Sequence, residues 1–411
     1  MRLLCGRPLT RIAAQSDLSP QGRGEVKVSA TTVDSLHPCG GGLGRRVSRR
    51  CRCLRTPPPP TPPHRGEGNR PRAWLRFVIA IAAALLFVTA SATAQTLKLA
   101  ADNHPTSIEV SARPLAGFDL RDRSRVQFGQ LRFRSGLVLT SPYSRFGGLS
   151  SLRLDASGER FIAASDRGRW FTGRIVYRGK EMIGLADVQT APMLGGDGRT
   201  LASHGWFDTE SMARDGNWIY VGIERANRIV RFDFGRQGLR ARAETVLAPA
   251  DIRKLPYNSG LEALVVVPKG LPLAGALIAI SERGLDAAGN IKAYLIGGPS
   301  PGTFAVRRTG SFDISDAALL PGGDLLLLER KFTMLNGIGV RIRRIAATSI
   351  VPGATVDGPS IFDADLGQEI DNFEGLDVHV TPEGDTVLTL VSDDNFLAIQ
   401  RTLLVQFTLI E

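Results

Sequence analysis

Cysteine is missing from most of this chain. All four cysteines of the 411 residues precede residue 95, namely Cys5, Cys39, Cys51 and Cys53. The rest of the chain can therefore form no disulfide and has no thiol for nucleophilic or zinc chemistry. Histidine is nearly as scarce after residue 95, where it is limited to His104, His204 and His379. Motifs for a zinc protease (His-Glu-x-x-His) and for a phosphate-binding loop (Gly-Lys-Ser/Thr) are absent as well.

Excess positive charge is confined to the N-terminal region. The formal net charge is +11, but residues 1–94 alone carry 15 Lys+Arg against 4 Asp+Glu. Because this leaves 36 residues of each sign after residue 94, the main part of the chain is neutral. A neutral composition predicts no nucleic-acid partner for it.

A candidate export signal explains that division. Arg70, Arg72 and Arg76 are followed by an apolar run over Phe77–Ala90 and by the small residues of Ala92–Ala94. The run is shorter than the ~20 residues of a membrane span. The pattern predicts a signal peptide over residues 70–94, cleaved before Gln95, and hence a periplasmic or secreted protein without a stable membrane anchor. An uncleaved anchoring helix is the alternative.

Residues 1–69 have a composition that cannot build a core. They are rich in Arg, Gly and Pro and contain no sustained apolar period. We expect either a disordered basic extension or a start site assigned too far upstream, and exclude this stretch from the fold.

Residues 95–411 lack a long helical apolar stripe and consist of short alternating runs separated by Gly, Asp, Asn and Pro. Five similar units open at Phe146, Phe207, Asn258, Ile314 and Asn372. Their spacing of roughly 50–60 residues, with about four strands per unit, is typical of a propeller. The sequence predicts an all-β propeller with five blades, and leaves open a sixth within residues 96–145. Two packed β-sandwiches are the competing fold.

Ring closure has its own sequence signal. The chain ends in the apolar run Thr402–Ile410, and an unassigned apolar run, Leu131–Thr140, precedes the first unit. We predict that these two runs pair in the last blade, because closing the ring removes exposed sheet edges.

Acidic residues recur at two positions of the unit. The first position, just before the first strand, holds Glu210, Glu262, Asp316 and Glu374, with Ser150 in the first unit. The second position, at the end of the next strand, holds Asp166, Glu224, Glu282, Glu329 and Asp393. Arg follows the second acid in four units. Equivalent positions of successive blades form a ring, so these carboxylates should converge.

Converging carboxylates need a cation, because they otherwise raise each other's pKa. For the first set, Glu210, Glu262, Asp316 and Glu374, we predict a divalent metal, and Ca²⁺ suits oxygen ligands. For the second set, the neighbouring Arg leaves a purely structural role equally open. His204, just before a unit opening, is the candidate acid–base partner among the histidines.

The order of these motifs resembles the phytase-like family with esterase-like activity. The resemblance rests on GLSSL…SDRG, DTESMA…ER, SGLEAL…SERG, LLPGGDLLLLERKF and NFEGLDVH…SDDNF, from Phe146 to Ile410. It implies a secreted or periplasmic repeat protein with a phosphoesterase-type activity. The acids that it implies are Asp166, Glu210, Glu262, Glu282, Glu329, Glu374 and Asp393. Ser150 departs from a symmetric ring of acids.

Three functions follow as expectations. The first is a metal-assisted hydrolase of small phosphoesters or esters; the second is a lactonase-like propeller that acts on a carbon ester. The third is a binding propeller without catalysis, in which the carboxylates serve stability alone. The sequence predicts no particular oligomeric state.

Overall fold

The structure, a computed structural model, describes residues 104–333 and 337–410. The predicted signal peptide over 70–94 and the extension over 1–69 lie outside these residues. The described chain begins with four strands that join blades formed later, three of them short: β1 (Thr106–Ser107), β2 (Ser111–Pro114), β3 (Gln127–Phe128) and the longer β4 (Leu131–Thr140).

The first two blades are antiparallel sheets built in chain order from the inside outwards. The first contains β5 (Leu149–Leu154), β6 (Arg160–Ser165), β7 (Arg169–Arg178) and β8 (Glu181–Pro192), with β1 at its outer edge. The second contains β9 (Thr209–Asp215), β10 (Trp218–Ile223), β11 (Arg228–Asp233) and β12 (Ala243–Thr245). The single α-helix of the described part, α1 (Phe234–Gln237), follows β11.

The chain leaves the fourth blade once to add a strand to the third blade. The third contains β13 (Leu261–Val266), β14 (Ala276–Leu285), β15 (Ile291–Gly297) and β16 (Gly302–Val306). The fourth contains β17 (Asp313–Leu319), β18 (Leu325–Thr333) and β19 (Gly337–Ile345). The chain then adds β20 (Thr355–Val356) in parallel to β16 before it returns to the fourth blade with β21 (Ser360–Asp365).

The fifth blade joins the two ends of the described chain. It contains β22 (Asn372–Val380), β23 (Thr386–Asp393) and β24 (Thr402–Leu409), and then β4 and β2 from the N-terminal side. Short 3₁₀ helices lie in the connections at Leu201–His204, Gly238–Arg240, Ala250–Lys254 and Ala347–Ser349. No helix among the described residues has the length and apolarity needed to cross a membrane.

Local turn chemistry joins the strands within a blade. Between β5 and β6, the Asp155 carboxylate accepts hydrogen bonds from the Ser157 hydroxyl and from the backbone N–H groups of Glu159 and Arg160. Gly158 completes the turn at a φ of 73°, a left-handed conformation that costs glycine little.

Each apolar core of the ring lies between two neighbouring blades. Five clusters of buried residues connect the first blade to the second, the second to the third, and so on until the fifth meets the first. Phe407 and Phe362, for example, pack at 5.1 Å between ring centres across the fourth and fifth blades. Because a blade covers its faces only by stacking on both neighbours, the five sheets close into a five-bladed propeller.

The predicted closure is confirmed. Strand β24 pairs antiparallel with β4 over a register that runs from Thr402 opposite Leu139 to Leu409 opposite Leu131. The sixth blade is not formed, because residues 104–145 supply outer strands to the first and fifth blades. A closed ring also excludes the two sandwiches.

A buried arginine fills the middle of the axis. The Arg153 guanidinium, on β5, forms an ion pair with Asp316 on β17 at 2.9 Å. It also donates to the carbonyls of Leu264 and Leu376, on β13 and β22. Asp316 in turn accepts a hydrogen bond from the Leu376 N–H at 2.8 Å. One side chain thus connects four of the five innermost strands.

Candidate functional site

A β-bulge interrupts each innermost strand near its start. The register with the second strand of the blade shifts at the same place in all five blades. The extra residues are Ser150, Glu210, Glu262, Ser315 and Glu374. A bulge re-aims the side chain of its extra residue, so these five occupy equivalent places around the axis.

The fourth blade corrects the sequence prediction by one residue. Its bulge holds Ser315, because Ile314 pairs with Glu329 and Asp316 already pairs with Leu328. Since successive residues of a strand point to opposite faces, a shift of one residue exchanges the side chain at the ring. The structure therefore places Ser315, and not Asp316, in line with Glu262.

The same shift applies to the second position. On the second strand of the other blades, the residue that follows the pair just before the bulge is an acid: Asp166, Glu224, Glu282 and Asp393. In the fourth blade that place belongs to Arg330, because the paired residue is Glu329. An arginine therefore stands inside a ring of carboxylates.

The carboxylates meet at the end of the axis where the innermost strands begin. We call this cluster the carboxylate basin, and its members are Asp166, Asp208, Glu210, Glu224, Glu262, Glu282, Glu374 and Asp393. Asp208 joins the others directly before β9, with its backbone N–H donating to the Asp166 carbonyl at 2.7 Å. The structure thus brings together Glu210, Glu262 and Glu374, as their equivalent positions predict.

Burial and mutual repulsion raise the pKa values of several of these groups and so favour their protonated, neutral forms. Burial raises the pKa of Glu210 well above its usual value, and the Glu374 and Asp208 charges raise it further. The pKa of Glu262 is raised in the same way by burial and then by Glu210 and Glu282. Burial also raises the pKa of Glu374, although Arg330 opposes that shift.

Three further members of the basin titrate close to neutral pH. Burial is the main cause in each case, and it raises the pKa of Asp166 to about 6, of Glu224 to about 7 and of Asp393 to about 8. Neighbouring carboxylates add to the effect, with Glu374 acting on both aspartates. Groups that share a site in this way hold protons unless a cation replaces them.

Three arginines supply part of the missing positive charge. Arg330 forms an ion pair with Glu374 and approaches Glu282 at 3.5 Å. Arg225 forms an ion pair with Asp208 at the edge of the basin, and the Arg167 charge opposes the rise in the pKa of Asp166. Among the described residues, the eight carboxylates of the basin thus outnumber these three cations.

The basin contains two places with the geometry of a metal centre. Asp208, Glu210 and Glu224 each offer an oxygen within 4.8 Å of the other two, and Glu224, Glu262 and Glu282 do the same. Two oxygens bound to one Ca²⁺ at roughly 2.4 Å can be no more than about 4.8 Å apart. We refer to these sets as the two triads, which share Glu224.

The chemistry of Glu262 supports that assignment. Glu262 is only 4% exposed, yet no hydrogen-bond donor of the described residues reaches its carboxylate. A buried carboxylate without a hydrogen-bond donor is costly, and although the Arg330 charge opposes it, burial with the neighbouring carboxylates raises the pKa of Glu262. Such a group is a suitable ligand for a hard divalent ion. The residues therefore fit a calcium ion.

Three predicted site residues lie outside the basin. Glu329 is fully buried between Arg341 and Arg343, at 2.7 and 2.6 Å, and has a structural role within the fourth blade. Asp316 is the partner of Arg153 in the middle of the axis. His204 is exposed and binds Asp197 at 3.0 Å, so its ring contacts no basin carboxylate.

The sequence reasoning missed three functional or structural side chains. Asp208 stands one residue before β9. Its left-handed φ of 62° marks an uncommon backbone conformation, which the sequence alone does not reveal. Arg330 is hidden by the register shift of the fourth blade. Arg153 resembles an ordinary strand residue until the five strands meet around it.

The fold and the site define a five-bladed propeller with an acidic basin at one end of its axis. A family profile described as phytase-like, with the esterase-like activity of phytase, matches residues 144–396. The chain belongs to this family. The match spans all five innermost strands and every member of the carboxylate basin.

Comparison with solved structures returns propellers at low similarity. The chain is similar to a structure of U3-55K (10% identity, TM-score 0.35, 65% of this chain and 96% of that one). It is similar to the WD40 repeats of RRP9 at 10% identity and a TM-score of 0.33, over 70% of this chain and 100% of that one. Neither similarity is close enough to carry a functional argument. A search of curated proteins finds no match.

Proposed function

We propose that this protein is a secreted or periplasmic hydrolase of phosphoester or ester bonds that uses Ca²⁺ bound in the carboxylate basin. One observation carries the proposal: eight carboxylates converge at one end of the axis, and five of them form two triads that share Glu224. Family membership supports a hydrolase of the esterase type. Small-molecule substrates suit a basin at the end of a propeller axis.

In the two triads, the residues that would hold Ca²⁺ are Asp208, Glu210, Glu224, Glu262 and Glu282. A bound Ca²⁺ would neutralise the oxygens of a phosphate or ester group and lower the pKa of a water. The Arg330 guanidinium, a quarter exposed, can donate to a further anionic oxygen of the substrate.

The carboxylates outside the triads are available for proton transfer. Asp166 has an oxygen, Oδ1, that is buried and has no hydrogen-bond partner among the described residues. With a pKa of about 6, this carboxylate is ionised at neutral pH and can accept the proton of an attacking water. The Glu374 charge raises the pKa of Asp166, the Asp166 charge raises that of Asp393, and burial raises the pKa of Glu374 and Asp393 as well.

The test pairs Glu262→Gln with Glu244→Gln. Glu262→Gln keeps the size of the side chain and removes one ligand charge, so we expect calcium affinity to fall at least about tenfold and hydrolysis to fall with it. Glu244 lies on the second blade in an exposed pair with Arg231, and its change should alter neither quantity. Calorimetric titration with Ca²⁺ measures the affinity, and activity with and without EDTA measures the dependence.

The alternatives give different results in the same experiment. A lactonase-like enzyme would lose activity with EDTA but would cleave lactones in preference to phosphoesters. A binding propeller with a structural basin would lose stability in Glu262→Gln, while its calcium titration would match that of the unchanged protein. A panel of phosphoesters and lactones therefore separates the two enzymes.

Export rests on the sequence alone. We propose that cleavage after Ala94 releases a protein that begins at Gln95 and carries almost no net charge. Intact-mass measurement of the exported protein checks the cleavage site. Material that keeps the segment Phe77–Ala90 and partitions with membranes would contradict it.

A further inference from the structure

A cluster of aromatic side chains around Arg225 lies at the edge of the carboxylate basin. The guanidinium carbon of Arg225 is 5.0 Å from the ring centre of Phe207 and 5.5 Å from that of Tyr257. Both distances lie in the range of a cation–π contact. We call these three residues, Phe207, Arg225 and Tyr257, the aromatic platform.

The platform is fixed in place by polar contacts. Arg225 forms an ion pair with Asp208, which is also a member of the first triad. Its Nη2 donates to the Asn258 side-chain oxygen at 3.4 Å. Asp208 therefore connects the aromatic platform to the first triad, and the two sites are neighbours.

The backbone adopts an uncommon conformation beside both aromatic residues. Asp208 and Asn258 both adopt left-handed conformations, with φ of 62° and 63°, and each directly follows one of the two aromatic residues. Left-handed conformations of residues other than glycine are uncommon and concentrate at functional sites. The segments that lead into β9 and β13 thus both contain such a residue, and both bring an aromatic ring close to Arg225.

The aromatic rings of the platform are left open to solvent. Tyr257 is 69% exposed and Phe207 is 37% exposed, so neither serves the cores between the blades. A rigid aromatic side chain gives up little conformational freedom when it binds a ligand, and it offers a large flat contact. The Arg225 Nε pairs with Asp208 and its Nη2 donates to Asn258, so two of its three nitrogens already have partners.

We propose that the aromatic platform is a subsite for a planar apolar group of the substrate, so that the enzyme prefers aryl esters. This proposal rests on the proposed function, since it assumes that the scissile group binds in the carboxylate basin. Asp208 belongs to the first triad and pairs with Arg225. A group attached directly to a phosphoryl or acyl centre bound at that triad would therefore lie beside Phe207 and Tyr257.

The test measures binding of phosphonates, which cannot be hydrolysed, to the calcium-loaded protein. Calorimetric titration with phenylphosphonate and with methylphosphonate gives a ratio of two affinities. We expect phenylphosphonate to bind roughly fivefold more tightly, as an aromatic contact allows. In Tyr257→Ala and Phe207→Ala the ratio should fall towards one. Thermal melts of both variants confirm that the fold is kept.

A matched control exists on the same blade. Trp218 packs against Arg231 at 4.3 Å, at the end of β10 that is remote from Glu224. It is an arginine–aromatic pair of the same kind but without neighbouring triads, so Trp218→Ala should keep the ratio of the unchanged protein.

The possible results separate this proposal from the proposed function. Equal binding of the two phosphonates in the presence of calcium would overturn the subsite and leave the hydrolase standing. A ratio that survives in Tyr257→Ala would also overturn it. Glucose 6-phosphate binding as tightly as phenylphosphonate would assign the platform to sugar rings instead. If neither phosphonate binds, the subsite and the proposed function fail together.

Discussion

Arg330 of the fourth blade and Glu374 of the fifth form an ion pair inside a basin made otherwise of acids. Arg330 occupies the place where the other four blades carry Asp166, Glu224, Glu282 and Asp393. Asn372 supports the pair, because its side-chain nitrogen donates to Glu374 at 2.8 Å. The ring thus contains its own counter-ion, and this arginine offsets part of the repulsion when calcium is absent.

The first prediction concerns this counter-ion. Arg330→Gln should destabilise the calcium-free protein by about 2 kcal/mol at pH 8, less than for a fully buried pair because Arg330 is a quarter exposed. At pH 5 the loss should be smaller, because burial raises the pKa of Glu374, Glu262 and Glu210, whose charges act on Arg330, and these groups then carry less charge. Denaturant unfolding at both pH values measures the difference.

Arg283→Gln is the control for that experiment. Arg283 pairs with Asp313 outside the basin and its side chain is half exposed, so the change should cost less than about 1 kcal/mol at either pH. An equal loss at pH 5 and pH 8 in Arg330→Gln would show that the arginine does not balance the basin carboxylates.

The second prediction concerns pH and calcium. Asp166, Glu224 and Asp393 have folded-state pKa values of about 6, 7 and 8, above those of an unfolded chain. The folded protein therefore holds more protons than the unfolded one between about pH 4 and pH 8, and its stability must fall as pH rises through this range. We expect the calcium-free melting temperature to fall from pH 5 to pH 8.

Calcium should reverse that trend. Because the ion replaces protons, its affinity rises with pH and its binding releases protons near pH 7. Calorimetric titrations in buffers of different ionisation enthalpy count the protons released. A calcium-free protein that becomes more stable from pH 5 to pH 8, or binding without proton release, would contradict the raised pKa values.

The third prediction concerns ring closure. Removing residues 402–411 deletes β24, the strand between β23 and β4, and so exposes one edge of each and opens the ring; we expect loss of the cooperative fold. A milder test is Phe407→Ala, which removes a fully buried ring and should cost about 3–5 kcal/mol. Thr408→Ala, on the opposite face of the same strand, should cost far less. A truncated protein that melts like the complete one would argue against closure by β24.

The fourth prediction concerns the pair in the middle of the axis. Asp316→Asn leaves Arg153 buried without its carboxylate, so stability should fall by about 3–5 kcal/mol. Calcium affinity should stay unchanged, because Asp316 lies outside both triads. The double change Arg153→Met, Asp316→Leu should recover part of the stability. A parallel loss of calcium binding in Asp316→Asn would return this residue to the metal site.

Much of the fold could be predicted from local patterns. The alternation of apolar residues predicted Leu131–Thr140 with the bounds of β4, because a half-buried strand has a period of two whatever its surroundings. The recurring turns set the number of blades. The position of Glu210, Glu262 and Glu374 within the repeat was enough to place them together, since equivalent positions of stacked blades meet at the axis.

Which residues belong to the site depended on tertiary structure. Whether a blade contributes an acid is decided by the register of two strands, and in the fourth blade a one-residue difference exchanges Asp316 and Glu329 for Ser315 and Arg330. Register follows from packing between blades, which no local pattern records. The raised pKa of Glu224 and the central place of Arg153 likewise arise only when five strands close around one axis. Sequence alone determined the blades and the carboxylates they carry; closure of the ring decided which of these carboxylates meet, because distance and burial belong to the assembled fold.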